Sequence, residues 1–300
     1  MVYTVTFNPA IDYVVYLDNM DMGSINRAGC EEIMFGGKGI NVSAVLEKLG
    51  IENIALGFTA GFIGEAIEQI LADNGIKTDF IRLKEGNSRI NIKIKSGEET
   101  EINGSGPYVS EEALETLMKK LDKLKRGDYL VLAGSIPKSM QSDVYEKIMK
   151  RLQNRGIMFV VDATGDLLLN VLKYKPFLVK PNNIELGEMF GVQLETEEEI
   201  TEYARRLCSM GAENVIVSMA ENGSILVNSK GEFIRMGVAK GKVINSVGAG
   251  DSMVAGFIAG YIDTGDYNYA MRLGTASGGA TAFSEGLATK DKIFEFMNKI

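Results

Sequence analysis

The stretch "INVSAVLEKLGIENIALGF", Ile40 to Phe58, changes its hydrophobic period halfway along. Val42, Val45, Leu46 and Leu49 stand at i, i+3, i+4 and i+7, the apolar stripe of an amphipathic helix, and Gly50 ends it. From Asn53 to Phe58 the stripe gives way to a short apolar run, as in a strand buried on both faces. Similar runs recur as "VYTVTF" (Val2–Phe7), "YLVLAG" (Tyr129–Gly134), "IMFVVD" (Ile157–Asp162), "FLVK" (Phe177–Lys180) and "NVIVSM" (Asn214–Met219), with amphipathic stretches between them. A repeated strand-helix alternation predicts an α/β fold: a mainly parallel central sheet with helices on both faces.

Two segments depart from this rhythm. Around "DYVVYLD" (Asp12–Asp18) and through "SRINIKIKSGEETEIN" (Ser88–Asn103), apolar and polar residues alternate, with a Ser-Gly turn inside the second. Alternation predicts exposed antiparallel strands, which have no place in a parallel core. We expect one domain over residues 1–300 carrying a small β lid inserted at about 11–35 and 88–105. An uncovered strand face also invites pairing, so the same lid is the expected surface of a homodimer.

Composition narrows the function. A net charge of −8 and a pI near 4.9 argue against a general nucleic-acid binder, which presents a basic surface. The apolar run Met253–Ile262 is too short to span a bilayer, and "MVYTVTFNPAID" carries no basic segment leading an apolar core. Cys30 and Cys208 are far apart and form no CxxC pair, which points to reduced thiols and a cytoplasmic protein. With no histidine at all, nucleophile systems that use His as base, and the usual zinc sites, lack a required partner. An acid or base must then be a carboxylate, or less often Lys, Tyr or Cys.

Three patches could carry chemistry, and each has a plain structural alternative. "FGGKGINVS" (Phe35–Ser43) has neither the Ser or Thr after Lys that a P-loop needs nor the third glycine of a dinucleotide fingerprint. It could be a Gly-rich turn into a helix, or Lys38 and Asn41 could offer a cation and amide groups to a phosphorylated polyol. "KPNNIEL" (Lys180–Leu186) places Asn182 and Glu185 three apart. That spacing suits a capping box, or a Mg²⁺ site in which both residues act mainly through water. "NSVGAGDSMVAG" (Asn245–Gly256) sets Asp251 after three small residues and before an apolar helical run. Asp251 could cap that helix, or the amides of Gly248, Ala249 and Gly250 could receive an anion while Asp251 works beside it.

Taken in order, "GGKGIN", "AGSIP" (Ala133–Pro137), "KPNNIE" and "GAGDS" resemble the ribokinase-like PfkB sugar kinases over the whole chain. Within that family, "TFNPAIDY", "RINIKI" and "ETEIN" look most like the branch that phosphorylates fructose 1-phosphate. Kinases of tagatose 6-phosphate and fructose 6-phosphate are close relatives. The resemblance implies ATP as co-substrate, Mg²⁺, and Asp251 as catalytic base with Gly248, Ala249 and Gly250 as an anion hole. It implies Asp12, Gly37, Lys38, Asn41, Arg89 and Ser135, with Arg27 and Asn103, on the sugar phosphate, and Lys180, Asn182, Glu185, Ser218 and Gly223 on the nucleotide and metal side. A K⁺ site at Asn245, Val247, Ser284 and Gly286 is also implied, although Asn245-Ser246 stands where the family often has Asp-Thr. A nicotinamide dehydrogenase would carry its glycine fingerprint after the first strand, and this chain does not. A non-catalytic sugar-phosphate sensor would be expected to have lost the base or the glycines, and this chain keeps both.

Overall fold

The computed structural model describes residues 1–239, 241 and 243–300. Its larger sheet has nine strands: β1 Val2–Thr6, β4 Asn53–Ala60, β5 Ile81–Leu83, β8 Tyr129–Ala133, β9 Met158–Asp162, β10 Leu178–Val179, β11 Asn214–Ser218, β12 Ser224–Asn228 and β13 Phe233–Met236. They run in the order β13-β12-β11-β10-β9-β8-β1-β4-β5. The strands from β11 to β5 are mutually parallel, while β12 and β13 close one edge antiparallel. The expected mainly parallel sheet with flanking helices is therefore observed. The hairpin edge was not anticipated, because β12 and β13 carry no signal that separates them from buried parallel runs.

Side-chain alternation sends successive residues to opposite faces. Val5, Leu130, Leu132 and Val161 pack on one side with Leu117, Tyr145, Ile148 and Leu207 from helices. Val2, Val131, Val160 and Ile216 pack on the other with Val254, Phe257, Ile258 and Met271. The helix Ala249–Thr264 is buried from Asp251 through Gly260, so its first turn is held against the sheet. The helix that opens the argument runs Lys38–Leu49 and stops at Gly50, whose φ of 84° is the left-handed conformation a glycine takes readily. Among the described residues no helix is long and apolar enough to cross a membrane.

The smaller sheet has four strands, β2 Ala10–Tyr16, β3 Cys30–Gly36, β6 Arg89–Ser96 and β7 Glu98–Asn103, in the order β3-β2-β6-β7. The expectation that its strands pair antiparallel holds for β2 with β3 and for β6 with β7 but fails at the join. β2 and β6 run parallel, with Asp12 opposite Asn91 and Val14 opposite Lys93. Only the β6–β7 pair is a local hairpin set by its turn; β2 and β3 pair across a long connection, and the β2–β6 join is a long-range pairing that periodicity does not encode. The sheet's amphipathy is also inverted: in β6, Asn91 and Lys93 are buried, whereas Ile90 and Ile92 are exposed.

Candidate active site

A cleft of about 1270 Å³ opens at the carboxyl ends of the central strands, where open α/β sheets bind ligands. Its lining takes Asn8 after β1, Asp162 at the end of β9, Lys180 after β10 and Ser218 at the end of β11. The first turns of the Lys38–Leu49, Asn183–Phe190 and Ala249–Thr264 helices also reach it. The smaller sheet supplies Asp12, Arg89, Asn91, Lys93, Glu101 and Asn103.

Asp251 sits at the center of this convergence and is 5% exposed. The helix N-cap is Gly248, at φ 78°, with no side-chain cap, so the capping alternative for Asp251 does not hold. Instead Asp251 Oδ2 accepts a hydrogen bond from Asn41 Nδ2 at 2.8 Å. Burial, and then the negative charge of Asp162, push the Asp251 carboxyl up to about 7, against the opposing pull of Asn41, Lys38 and Lys180. A carboxyl so tuned can take a proton near neutral pH.

Asp162 is as deeply buried but differently partnered. Lys38 Nζ lies 3.3 Å from its Oδ2 and Lys180 Nζ lies 3.5 Å from its Oδ1. Burial alone would raise its pKa, yet the ammoniums of Lys180 and Lys38 hold it below the usual carboxylate value. Burial pulls Lys38 down, but Asp162, Asp251 and Glu185 together raise it, so its cation is secure. Lys180 also approaches the helix start: a Cβ on Gly250 would stand 3.1 Å from its Nζ and would press on the ammonium.

The first-turn amides of the Ala249–Thr264 helix have no partner in the helical ladder, which gives the terminus partial positive charge. Of the three expected anion-hole residues, Ala249 departs from the simple picture, because its N–H donates to Ser246 O at 3.2 Å. The reason is local: Gly248 turns left-handed and folds the preceding loop back against the helix start. Gly250 and Asp251 continue that first turn and line the cleft.

At the Asn183–Phe190 helix the structure realises the capping box. Asn182 Oδ1 accepts from Glu185 N at 2.7 Å, and Glu185 Oε2 accepts from Asn182 N at 2.8 Å. Both residues nonetheless line the cleft. No cluster of three or more His, Cys, Asp or Glu fit for a metal occurs among the described residues. Glu185, a carboxylate in the cleft lining outside any such cage, fits Mg²⁺, which keeps much of its water and is shared with substrate phosphates.

Gly37, Lys38, Asn41, Arg89, Asn103, Ser135, Ser218 and Gly223 all reach the cleft. Arg89 Nε donates to Asn8 O at 2.9 Å, and burial lowers the Arg89 pKa. Arg27 is the exception: it lies exposed in the β2–β3 connection and is absent from the lining, because β2 and β3 diverge into a long loop there. The segments around Asn245–Val247 and Ser284–Gly286 do meet, through Asn245 Nδ2 to Glu285 O at 2.9 Å. Asn245 Oδ1 accepts from Val247 N at 3.0 Å.

Sequence reasoning missed Asp162, Asn91, Lys93 and Asn8. Asp162 was visible as a charge ending an apolar run; Lys93 and Asn91 were masked by an alternation whose polar members read as solvent-facing.

The pfkB family carbohydrate kinase pattern matches residues 5–293. A 1-phosphofructokinase of Bacillus subtilis is 45% identical over 300 residues, covering 100% of this chain and 98% of that protein. A D-tagatose-1-phosphate kinase of Bacillus licheniformis is 36% identical, covering 100% and 98%. The phosphofructokinase-2 of Escherichia coli, solved in complex with fructose-6-phosphate, superposes with a TM-score of 0.91 at 25% identity, covering 99% of this chain and 98% of that one. Fold, motif order and these similarities agree, and the chain belongs to the pfkB family of carbohydrate kinases.

Proposed function

We propose that this chain is an ATP-dependent sugar-phosphate kinase that phosphorylates the 6-hydroxyl of D-fructose 1-phosphate to give fructose 1,6-bisphosphate. The observation that carries the chemistry is Asp251, a buried carboxyl with its pKa raised to about 7 beside the first turn of a helix. Asp251 takes the hydroxyl proton as the sugar oxygen attacks the γ-phosphorus in line; the new O–P bond forms and the bond to the β-phosphate oxygen breaks, releasing ADP. The helix start at Gly248, Ala249 and Gly250 faces the transferring group with fixed dipoles, which lower the barrier because they need little reorganisation. Glu185 and Asn182 would hold hydrated Mg²⁺, which would neutralise charge on the ATP phosphates.

On the sugar side we assign Asp12, Gly37, Lys38, Asn41, Arg89, Asn103 and Ser135, with Lys38 and Arg89 gripping the ester that does not react. Lys180, Asn182, Ser218 and Gly223 are assigned to the nucleotide. A K⁺ ion held by backbone oxygens near Asn245, Val247, Ser284 and Gly286 belongs to the same reading, supported by the contact between the two segments. So does a potassium complex of the Escherichia coli phosphofructokinase-2.

The smaller sheet is assigned as a lid and as the surface of a homodimer. Its outward row Ile33, Tyr13, Ile92 and Ile102 runs across all four strands, and Ile33 and Ile102 are 61% and 56% exposed. An apolar row of this kind is the self-pairing surface expected of a second copy. The two cysteines, both free, suit a cytoplasmic setting.

Fructose 1-phosphate is favoured because both 1-phosphate kinases above exceed in identity the tagatose-6-phosphate kinase of Staphylococcus epidermidis, at 32%. ADP release should be measured with fructose 1-phosphate, tagatose 1-phosphate, fructose 6-phosphate and tagatose 6-phosphate at matched concentrations. The highest kcat/KM is expected for fructose 1-phosphate. A preference for a 6-phosphate refutes the substrate and leaves the kinase; no sugar-dependent ADP release with any of them refutes the kinase in favour of a sensor.

A further inference from the structure

The floor of the cleft under the smaller sheet contains a charged set that the phosphoryl-transfer chemistry does not use. Asp12, Asn91 and Lys93 are 8%, 6% and 7% exposed, and all three line the cleft. Because β2 and β6 run parallel with Asp12 opposite Asn91, residues two apart on β6 share the face toward Asp12. Asn91 Nδ2 donates to Asp12 Oδ1 at 2.8 Å, and Lys93 Nζ lies 3.4 Å from Asp12 Oδ2. Both carboxylate oxygens are thus fixed by one neighbouring strand. Gly36 closes a third side, since a Cβ there would stand 2.7 Å from Asp12 Oδ1.

The remaining hydrogen-bonding capacity has a definite sign. Asn91 Oδ1 and Asn8 Oδ1 have no hydrogen-bond partner among the described residues but are closed off, so the acceptor that the cleft can reach is Asp12, whose side chain keeps 11% of its surface exposed. Lys93 is in turn compensated by Glu101, whose Oε1 is 3.4 Å away, so a cation already shared between two carboxylates is poorly suited to grip a phosphate. A fixed carboxylate with lone pairs to spare suits the O–H donors of a sugar.

We infer that Lys93 and Asn91 are positioning residues that hold Asp12 to read sugar hydroxyls, and that they set affinity for the sugar phosphate rather than for ATP. The inference rests on the sugar-side assignment of Asp12 above. Both act through Asp12: Lys93 holds its Oδ2 and Asn91 holds its Oδ1. Freed from Lys93, the Asp12 carboxylate keeps one of its two fixed oxygens and can rotate out of register.

The test is a double-mutant cycle on the full chain with the best ketohexose phosphate of the wild type as substrate. Lys93→Met should raise KM for that sugar phosphate roughly 10- to 100-fold, the range for losing a hydrogen bond to a charged group, while KM for ATP stays within about twofold. Lys93→Arg should recover most of the loss. On an Asp12→Asn background, Lys93→Met should add less than about threefold, because the two effects run through one group. Additive effects in the cycle would show that Lys93 meets the substrate itself and overturn the inference. So would equal rises in both KM values, or a lower melting temperature with an unchanged sugar KM, which a structural ion pair would give. If Lys93→Met does not fold, Asn91→Ala carries the same KM test. A wild type that prefers another ketohexose phosphate refutes the proposed substrate alone, since the cycle is then scored with the preferred one.

Discussion

Asp251 and Asp162 line the same cleft, are 5% and 2% exposed, and are driven in opposite directions. Asp162 ends a strand between two ammoniums and is held ionised. Asp251 begins a helix, has a neutral amide for its hydrogen-bond partner and the charge of Asp162 nearby, and is raised to about 7. Burial is common to both, so partners decide the outcome. One carboxylate becomes a fixed anion between two lysines; the other is left able to take up a proton near neutral pH. Separating two such groups gives a chain without histidine a carboxyl that can exchange a proton near neutral pH, as the proposed base requires.

The contrast breaks most sharply at Asp251 itself. Asp251→Asn should lower kcat by about 10²- to 10⁴-fold with the sugar KM nearly unchanged, because the carboxylate is needed chiefly in the transition state. Steady-state kinetics above pH 8 would reveal it. Linkage gives a second consequence. The folded pKa of Asp251 lies above its unfolded value, so this group's contribution to stability is intact below about pH 4 and is lost as pH rises through about 7. Asn has no charge to bury, and the inactive variant should therefore unfold at a higher temperature than the wild type at about pH 8. An active or less stable variant would place the base elsewhere.

Asp162→Asn should act on structure and on Asp251 together. Removing one partner of a buried ion pair costs on the order of 3 kcal/mol, read as a lower urea midpoint. The charge that helps raise Asp251 also disappears, so the acid limb of the rate profile should move to lower pH. A limb that stays in place would mean the two carboxylates do not sense each other.

Arg89→Ala tests the proposed sugar side, where charge is assigned to grip substrate and not to tune a base. KM for fructose 1-phosphate should rise by an amount consistent with about 1.5–3 kcal/mol, far more than KM for ATP. Glu185→Gln should give the smallest change. The capping box alone predicts slightly lower stability, measured by denaturation, because Gln can still accept from Asn182 N; the proposed metal role predicts in addition a higher Mg²⁺ concentration for half activity. An unchanged Mg²⁺ titration leaves only the cap.

Much of this was legible in the sequence where the signal is local. Val42, Val45, Leu46 and Leu49 announce their helix because one face is buried, and the apolar runs announce β1, β4, β8, β9 and β11. Gly248 to Asp251 and Lys38 to Asn41 announce the cleft because glycine next to a charge at a helix start serves few purposes. What escaped depends on pairing across the chain. The parallel join of β2 to β6 links residues about eighty apart in sequence, and neither strand's pattern encodes it. Asp162 reads as the polar end of a strand until the fold brings Lys38 and Lys180 to it. "RINIKIKS" alternates correctly for a strand but does not say which face is inward, and here Asn91 and Lys93 face in.

The central claim, that Asp251 is a base tuned by burial and by Asp162, is tested most directly by the pH profile of kcat/KM for the preferred sugar phosphate. Measured from about pH 5 to about pH 9 in the wild type, it should fall on the acid side with unit slope and an apparent pKa of about 7. In Asp162→Asn that pKa should be lower. A wild-type rate that stays flat down to about pH 5, where a carboxyl raised to about 7 must be protonated, would contradict the account.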